Sequence, residues 1–281
     1  EQGMPVRLVQ TNSGNFYLGD LDEIRYFNRA LDLSQDTHLI DDERWETAKR
    51  CLKREFGHAQ SWEICRNIIL NFEQVYSRKY HSDWTNYLFE SKLEDFYPVQ
   101  GEAIVVSTIH KAKGKEFDNV FLLLTNIESL SDEKKREVYV AITRAKQNLS
   151  IHTNGHYLSN IANGLAEYRI NSNTYPAPQS LCYTLTHRDL WLDFFIDSHC
   201  QAAINTLKSG MSLRLTEKGC TDFSNNEILR FSKKFKDILN ELIQKDYKLE
   251  KASVNFVVYW EKQEDKKEAK IVLPKVVFKK V

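Results

Sequence analysis

The chain has 281 residues, 42% hydrophobic and 28% charged, with 39 basic and 39 acidic side chains and no net charge. Zero net charge excludes a uniformly basic nucleic-acid binder and leaves local patches as the electrostatic route to phosphate. No apolar run approaches the about 18 residues of a membrane span, and the five cysteines include no C-x-x-C pair, so neither a zinc site nor a disulfide framework is indicated. That cysteine usage fits a reducing, cytoplasmic compartment, and no metal site or membrane partner is expected.

The chain opens at Glu1 without an initiator Met and runs directly into apolar residues, which reads as a fragment of a longer protein. Pro5 to Gln10 alternate as a short strand, Thr11 to Asn15 are turn-rich, and Leu21 to Phe27 are helix-like. From Asp41 to Phe96 apolar residues recur at helical spacing: Trp45, Ala48 and Leu52; Trp62, Cys65, Ile68, Ile69, Phe72 and Val75; Trp84, Leu88 and Leu93. Three amphipathic helices are expected there. Beyond Pro98 and Gly101 the pattern changes to strand (Ala103 to Thr108), basic loop, strand (Val120 to Thr125), helix (Asp132 to Lys146) and strand (Leu149 to Thr153). Such alternation predicts an α/β fold with a parallel sheet.

Asn171 to Gln179 is polar and carries two of the five prolines, the best candidate linker. After it come an expected helix (Asp189 to Leu207), short strands around Ser212 to Leu215, a helix (Asn226 to Gln244) and two strong strands, Ala252 to Trp260 and Ala269 to Phe278. The module beyond Leu181 therefore reads as a small α+β or barrel-like domain. From Leu229 to Val281, 13 Lys and one Arg stand against eight acidic residues, a net of +6, interleaved with Tyr247, Phe256, Tyr259, Trp260 and Phe278. Stacking rings and cations of this kind suit a nucleic-acid surface. The alternation of Val254, Phe256, Val258 and Trp260 equally suits core-facing strand residues, with lysines on the solvent side. His187-Arg188-Asp189 reads as a helix N-terminal cap.

Two blocks carry the chemistry. In Ser107 to Asp118, His110, Lys111 and Lys113 surround Gly114, followed by Glu116 and Asp118. A glycine permits the close backbone approach of a phosphate-binding loop, and a carboxylate beside it can hold a sugar hydroxyl. In Glu137 to Lys146, Tyr139, Ala141, Ile142 and Ala145 have helical spacing while Thr143, Arg144 and Lys146 point elsewhere. A guanidinium at a sheet edge can reach the γ-phosphate of a nucleotide on a neighbouring domain. Alone, the first block also fits a solvated loop, and Arg144 a surface ion pair with Glu137 or Asp132. The charged atoms fall at strand ends, where open α/β sheets bind their ligands.

In order and spacing, Thr108 to Phe117 and Tyr139 to Ala145 resemble motifs V and VI of superfamily 1 helicases of the UvrD/Rep type. Gly3 to Val9 with Glu23-Ile24-Arg25 resembles that family's segment after motif IV. The resemblance implies a second RecA-like domain at residues 1–170 with a helical insertion at 36–99, a linker at 171–180 and an accessory domain at 181–281. It implies that Thr108, His110 and Lys111 contact single-stranded DNA, Glu116 the nucleotide ribose and Arg144 the γ-phosphate. Gly114 would turn the chain between the two sites, and Tyr139 and Thr143 would position Arg144. ATP and Mg²⁺, single-stranded or partially duplex DNA, and a missing N-terminal RecA-like domain are the implied partners. Lys115 stands where the family carries Leu, and the sequence holds no G-x-x-x-x-G-K-[ST] loop. A non-catalytic nucleic-acid or protein-binding module, or the motor part of a helicase-nuclease, remain alternatives.

Overall fold

The computed structural model describes residues 6–8, 17–32, 38–97, 104–109, 112, 114–124, 131–154, 174, 176–197 and 199–281. The expected turn at Thr11 to Asn15, His110, Lys111 and Lys113, and residues 171–173 and 175 of the expected linker lie outside these residues. In chain order the first half contains β1 (Val6–Leu8), α1 (Asp22–Ala30), β2 (Leu39–Ile40), α2 (Asp42–Phe56), α3 (Trp62–Val75), β3 (Lys79–Tyr80), α4 (His81–Glu90), β4 (Ile104–Val106), β5 (Phe117–Leu124), α5 (Asp132–Ile142) and β6 (Ala145–Thr153). The second half adds β7 (Ser180–Thr184), α6 (Asp193–Asp197), α7 (Cys200–Ile204), β8 (Ser212–Leu215), β9 (Gly219–Thr221), β10 (Glu227–Arg230), α8 (Lys233–Gln244), β11 (Tyr247–Glu261) and β12 (Glu268–Lys280). The fold is mixed α/β, with small parallel pairings and a curled antiparallel sheet.

The residues fall into two compact units, Glu1–Gln10 with Gln100–Pro176, and Thr11–Val99 with Ala177–Val281. This differs from the expected division into 1–170 and 181–281. The inserted stretch begins at Thr11 rather than near 36, and it shares one continuous core with the C-terminal residues.

In the first unit β1 pairs parallel with β4, Val6 opposite Ile104, and β5 pairs parallel with β6, Phe117 opposite Ala145. Helix α5 lies between β5 and β6 in sequence, capped by Ser131, whose Oγ accepts from Lys134 N at 3.3 Å, with Asp132 and Glu133 in its first turn. Leu122, Leu124, Val138 and Ala141 are buried together, with Ile109, Ile142 and Ile151 against them. Period-2 alternation sends Phe121 and Leu123 to the other face of β5, where they are 69% and 70% exposed. The expected helix over Asp132 to Lys146 stops at Ile142, and Ala145 already belongs to β6, so Thr143 and Arg144 form the turn between them.

In the second unit the three expected helices are α2, α3 and α4. Trp45, Ala48, Leu52, Cys65, Ile68, Ile69, Phe72, Trp84 and Leu88 are buried as the spacing requires, whereas Val75, at the end of α3, is 64% exposed. The helices meet through aromatic edges, Phe27 on Trp45 at 5.0 Å and Trp45 on Trp84 at 5.3 Å. Both buried indoles find acceptors: Trp45 Nε1 donates to Glu73 Oε1 at 2.6 Å and Trp84 Nε1 to Asn28 Oδ1 at 2.8 Å. The antiparallel sheet runs β10-β9-β8-β11-β12-β7. Two expectations fail here. The helix over Asp189 to Leu207 is a 3-10 turn at His187–Asp189 followed by α6 and α7, because Leu190 forms a bridge with Phe231 and Trp191 N donates to Arg230 O at 2.9 Å. Those pairings take the chain out of helical geometry. The helix expected from Asn226 begins only at Lys233, since Glu227–Arg230 pair with β9 and Ser232 Oγ caps α8 by accepting from Phe235 N. At His187–Asp189 the cap reading holds: Thr186 Oγ1 donates to Asp189 Oδ2 at 2.8 Å, and Thr186 N donates to the same oxygen at 2.9 Å.

Helix α1 docks on the hairpin through charge as well as apolar contact. Lys270 Nζ lies 2.8 Å from Asp22 Oδ1 with both side chains almost out of solvent, and Arg25 Nη2 lies 2.6 Å from Glu268 Oε1. Beside the first pair Glu23 is buried; Ser61 Oγ donates to its Oε1, and its Oε2 has no partner among the described residues. Burial pushes this carboxyl above the ordinary carboxylate range, Ser61 opposing. Removing one partner of a buried pair leaves the other uncompensated, so Lys270→Met is expected to destabilise the chain by about 3 kcal/mol in denaturant titration. A raised carboxyl pKa penalises the native state as pH rises above the unfolded value of about 4.3 and through the folded one. Glu23→Gln is therefore expected to stabilise the chain at neutral pH and to lose that advantage at about pH 4 and below, read from thermal unfolding of both proteins across pH.

Candidate functional site

The two chemistry-bearing blocks of the sequence meet in the first unit. Block one leaves β4 at Ser107, turns at Ile109 with Ala112 N donating to Thr108 O at 3.2 Å, and continues into β5, which pairs with β6 rather than with β4 among the described residues. Ile109 is the anchor, packed against the small core, while Thr108 beside it is exposed. Gly114 has φ of +81°, and a Cβ there would meet nothing within 4 Å. Glycine is needed for the left-handed backbone rather than for space.

Arg144 joins this loop to block two. Its Nε donates to Val140 O at 3.0 Å, its Nη2 to Thr143 Oγ1 at 3.1 Å and its Nη1 to Lys115 O at 3.3 Å. Phe117 N returns a bond to Arg144 O at 2.9 Å. The ion pairs that a surface Arg would make are taken by others: Glu137 is 2.6 Å from Lys134 Nζ and Asp132 is 3.0 Å from Lys135 Nζ. A guanidinium has five N–H donors, so the contacts among the described residues leave one on each terminal nitrogen for an anion. Glu116 lies on the same strand-end, 59% exposed, with Lys146 Nζ at 3.6 Å from its Oε2. At that distance and exposure the pair is weak and the carboxylate stays open to a hydroxyl donor.

Glu116, Gly114, Thr143 and Arg144 are thus brought together, and Thr108, at the start of the same loop, is exposed. His110 and Lys111 lie outside the described residues. Tyr139 is 69% exposed rather than packed, and of the two residues expected to position Arg144 it is Thr143 whose side chain contacts it. Thr108, Glu116 and Arg144 stand at strand ends, Thr108 after β4 and the other two just before β5 and β6. Lys115, charged where the resemblance has an apolar residue, is exposed and contributes its carbonyl to Arg144. That backbone role, like those of Val140 O and Phe117 N, has no signal in side-chain identity. The Glu116–Lys146 proximity comes from the parallel register of Phe117 with Ala145.

Residues 65–156 match the UvrD-like helicase C-terminal domain. The match is consistent with a UvrD-like helicase C-terminal region, and it takes in α3 and α4 as well as both blocks. No curated protein matches the chain. A cavity of about 630 Å³ in the second unit, among Tyr17, Arg25, Arg29, His81 and Trp84, involves neither block. No described group of three or more His, Cys, Asp and Glu could hold a metal ion, and no helix among the described residues is long and apolar enough to cross a membrane.

The positive φ at Gly114 sets a test of the loop. Gly114→Ala is expected to cost about 1–2 kcal/mol through left-handed strain alone, and Gly114→Asn, which tolerates that region better, to recover part of it. Hydrogen exchange of the β5 amides reads both.

Proposed function

We propose that this chain is the C-terminal portion of an ATP-dependent DNA helicase or translocase whose first unit is RecA-like and contributes half of a nucleotide site. The observation that carries the reading is the bond from Arg144 to the Lys115 carbonyl, which ties the guanidinium of one block to the loop of the other. In this reading Arg144 directs its remaining N–H donors at the γ-phosphate, where a fixed positive charge stabilises the charge that develops in phosphoryl transfer. Glu116 accepts from a ribose hydroxyl. Thr108 and, on the sequence pattern, His110 and Lys111 contact the single strand. Gly114 lets one short loop serve both ligands, so a shift of Arg144 towards phosphate moves the loop that holds the strand, a coupling between two sites.

The residues suit the ribose and terminal phosphate of ATP, and in this reading Mg²⁺ and the remaining phosphates are held by an N-terminal RecA-like domain carrying a phosphate-binding loop. When bound, the nucleotide supplies the γ-phosphoryl group for hydrolysis. The nucleic-acid partner follows from the helicase match and the basic first block.

In the full-length protein Arg144→Ala is expected to lower DNA-stimulated ATP turnover by about 10³-fold or more while leaving single-strand binding within a few-fold of wild type. ATPase assays with fluorescence anisotropy on a labelled oligonucleotide read both quantities, and unchanged turnover rejects the assignment.

A further inference from the structure

The +6 net charge of the last 53 residues is sorted by the strands rather than scattered. On β11 the alternation, shifted by a bulge between Leu249 and Lys251, turns Lys248, Lys251 and Ser253 to one face and Leu249, Ala252 and Val254 to the other. On β12 the same face carries Lys275, Val277 and Lys279, and on β7 it carries Ser180, Cys182 and Thr184. The register sets Lys248 beside Lys279 and Ser253 beside Lys275, with Ser180 and Thr184 flanking them on β7. Of the rings that sequence reading offered as stacking platforms, Tyr247, Phe256 and Phe278 are buried, and Tyr259 and Trp260 are half-buried farther along the hairpin; Tyr183 meets Phe278 edge-on at 5.5 Å. Glu250, in the bulge, is the acid of the patch, 3.8 Å from Lys279 Nζ. Lys248, Lys251 and Lys275 make no ion pair among the described residues.

Farther along the hairpin both faces are covered, at Phe256 to Val258 and Ile271 to Pro274. The face over Lys248 to Ser253 stays open for about 16 Å of strand. It offers ammonium groups and hydroxyls for phosphate and no ring to stack on an unpaired base. A single strand gains much of its affinity from base stacking, whereas a duplex presents a dense row of phosphates and hides its bases.

We propose that this open face of β11, β12 and β7 grips the phosphate backbone of duplex nucleic acid, as a contact separate from the two blocks. Binding there is sequence-independent and salt-sensitive.

The test uses the full chain and a labelled blunt duplex followed by anisotropy over a salt series. The variant with Lys248, Lys251, Lys275 and Lys279 all changed to Ala is expected to bind about tenfold or more weakly at low salt. The slope of log affinity against log salt is expected to become shallower by about 0.9 for each lysine that had contacted phosphate. Lys233→Ala with Lys236→Ala, an equal loss of charge per residue on α8, is expected to leave affinity within about twofold. Should the fourfold variant fail to fold by circular dichroism, Lys251→Gln with Lys275→Gln carries the test with about half the change in slope. Duplex binding that survives the lysine changes, or falls equally with the α8 changes, overturns the proposal. So does binding of phosphatidylserine vesicles without binding of duplex. Duplex binding lost with these lysines in a full-length protein that turns over no ATP supports this face while rejecting the motor reading.

Discussion

The second unit depends on the half of the β11–β12 hairpin that is buried on both faces. Phe256 to Val258 and Ile271 to Pro274 leave no side to solvent, so other elements must cover each face. One cover is the α1 region, through the Leu21–Val258 bridge, the Asp22–Lys270 pair and Arg25 stacked 4.7 Å from the Tyr259 ring. From there the aromatic cluster of Phe27, Trp45, Phe72 and Trp84 extends the same core through α2, α3 and α4. A helical segment from the first third of the chain and a β-rich segment from its last third are thus one body. The cost of that union is visible at Glu23, a carboxylate taken out of water with one oxygen unpartnered.

The first unit is organised by a different constraint, a short parallel pair that must bring two turns to one end. With Phe117 opposite Ala145, the loop before β5 and the turn before β6 are neighbours by register. The Arg144 guanidinium then satisfies carbonyls from its own helix and from that loop, which fixes the side chain without a carboxylate partner among the described residues. An arginine neutralised by an ion pair would have little left for phosphate; one held by carbonyls keeps its charge.

Much of this was readable in one dimension. The helical spacing of Trp45, Ala48 and Leu52, and of Cys65 to Phe72, named the buried faces of α2 and α3 because a 3.6-residue period is written in side-chain type. The two blocks, with Gly114 and Arg144 in them, carried the helicase resemblance for the same reason: their chemistry lies in side chains at fixed spacing. Boundaries failed where the backbone was claimed by another segment, one nearby and one distant in sequence. Glu227–Arg230 look continuous with the α8 helix in sequence but pair with β9, and Leu190 and Trp191 leave their expected helix to bond at Phe231 and Arg230. Local propensity has no access to such partners.

The sequence by itself determined the helices α2, α3 and α4, the chemistry of the two blocks and the excess of lysine near the C-terminus, since each is a property of residue identity and local period. Tertiary structure alone decided that residues 11–99 join the C-terminal segment, that Arg144 rests on the Lys115 carbonyl, and that Tyr247, Phe256 and Phe278 are buried while Lys248, Lys251, Lys275 and Lys279 share an open face. Each of those depends on strand register and on cores formed across long separations in sequence, where one residue of slip would exchange the two faces of a strand.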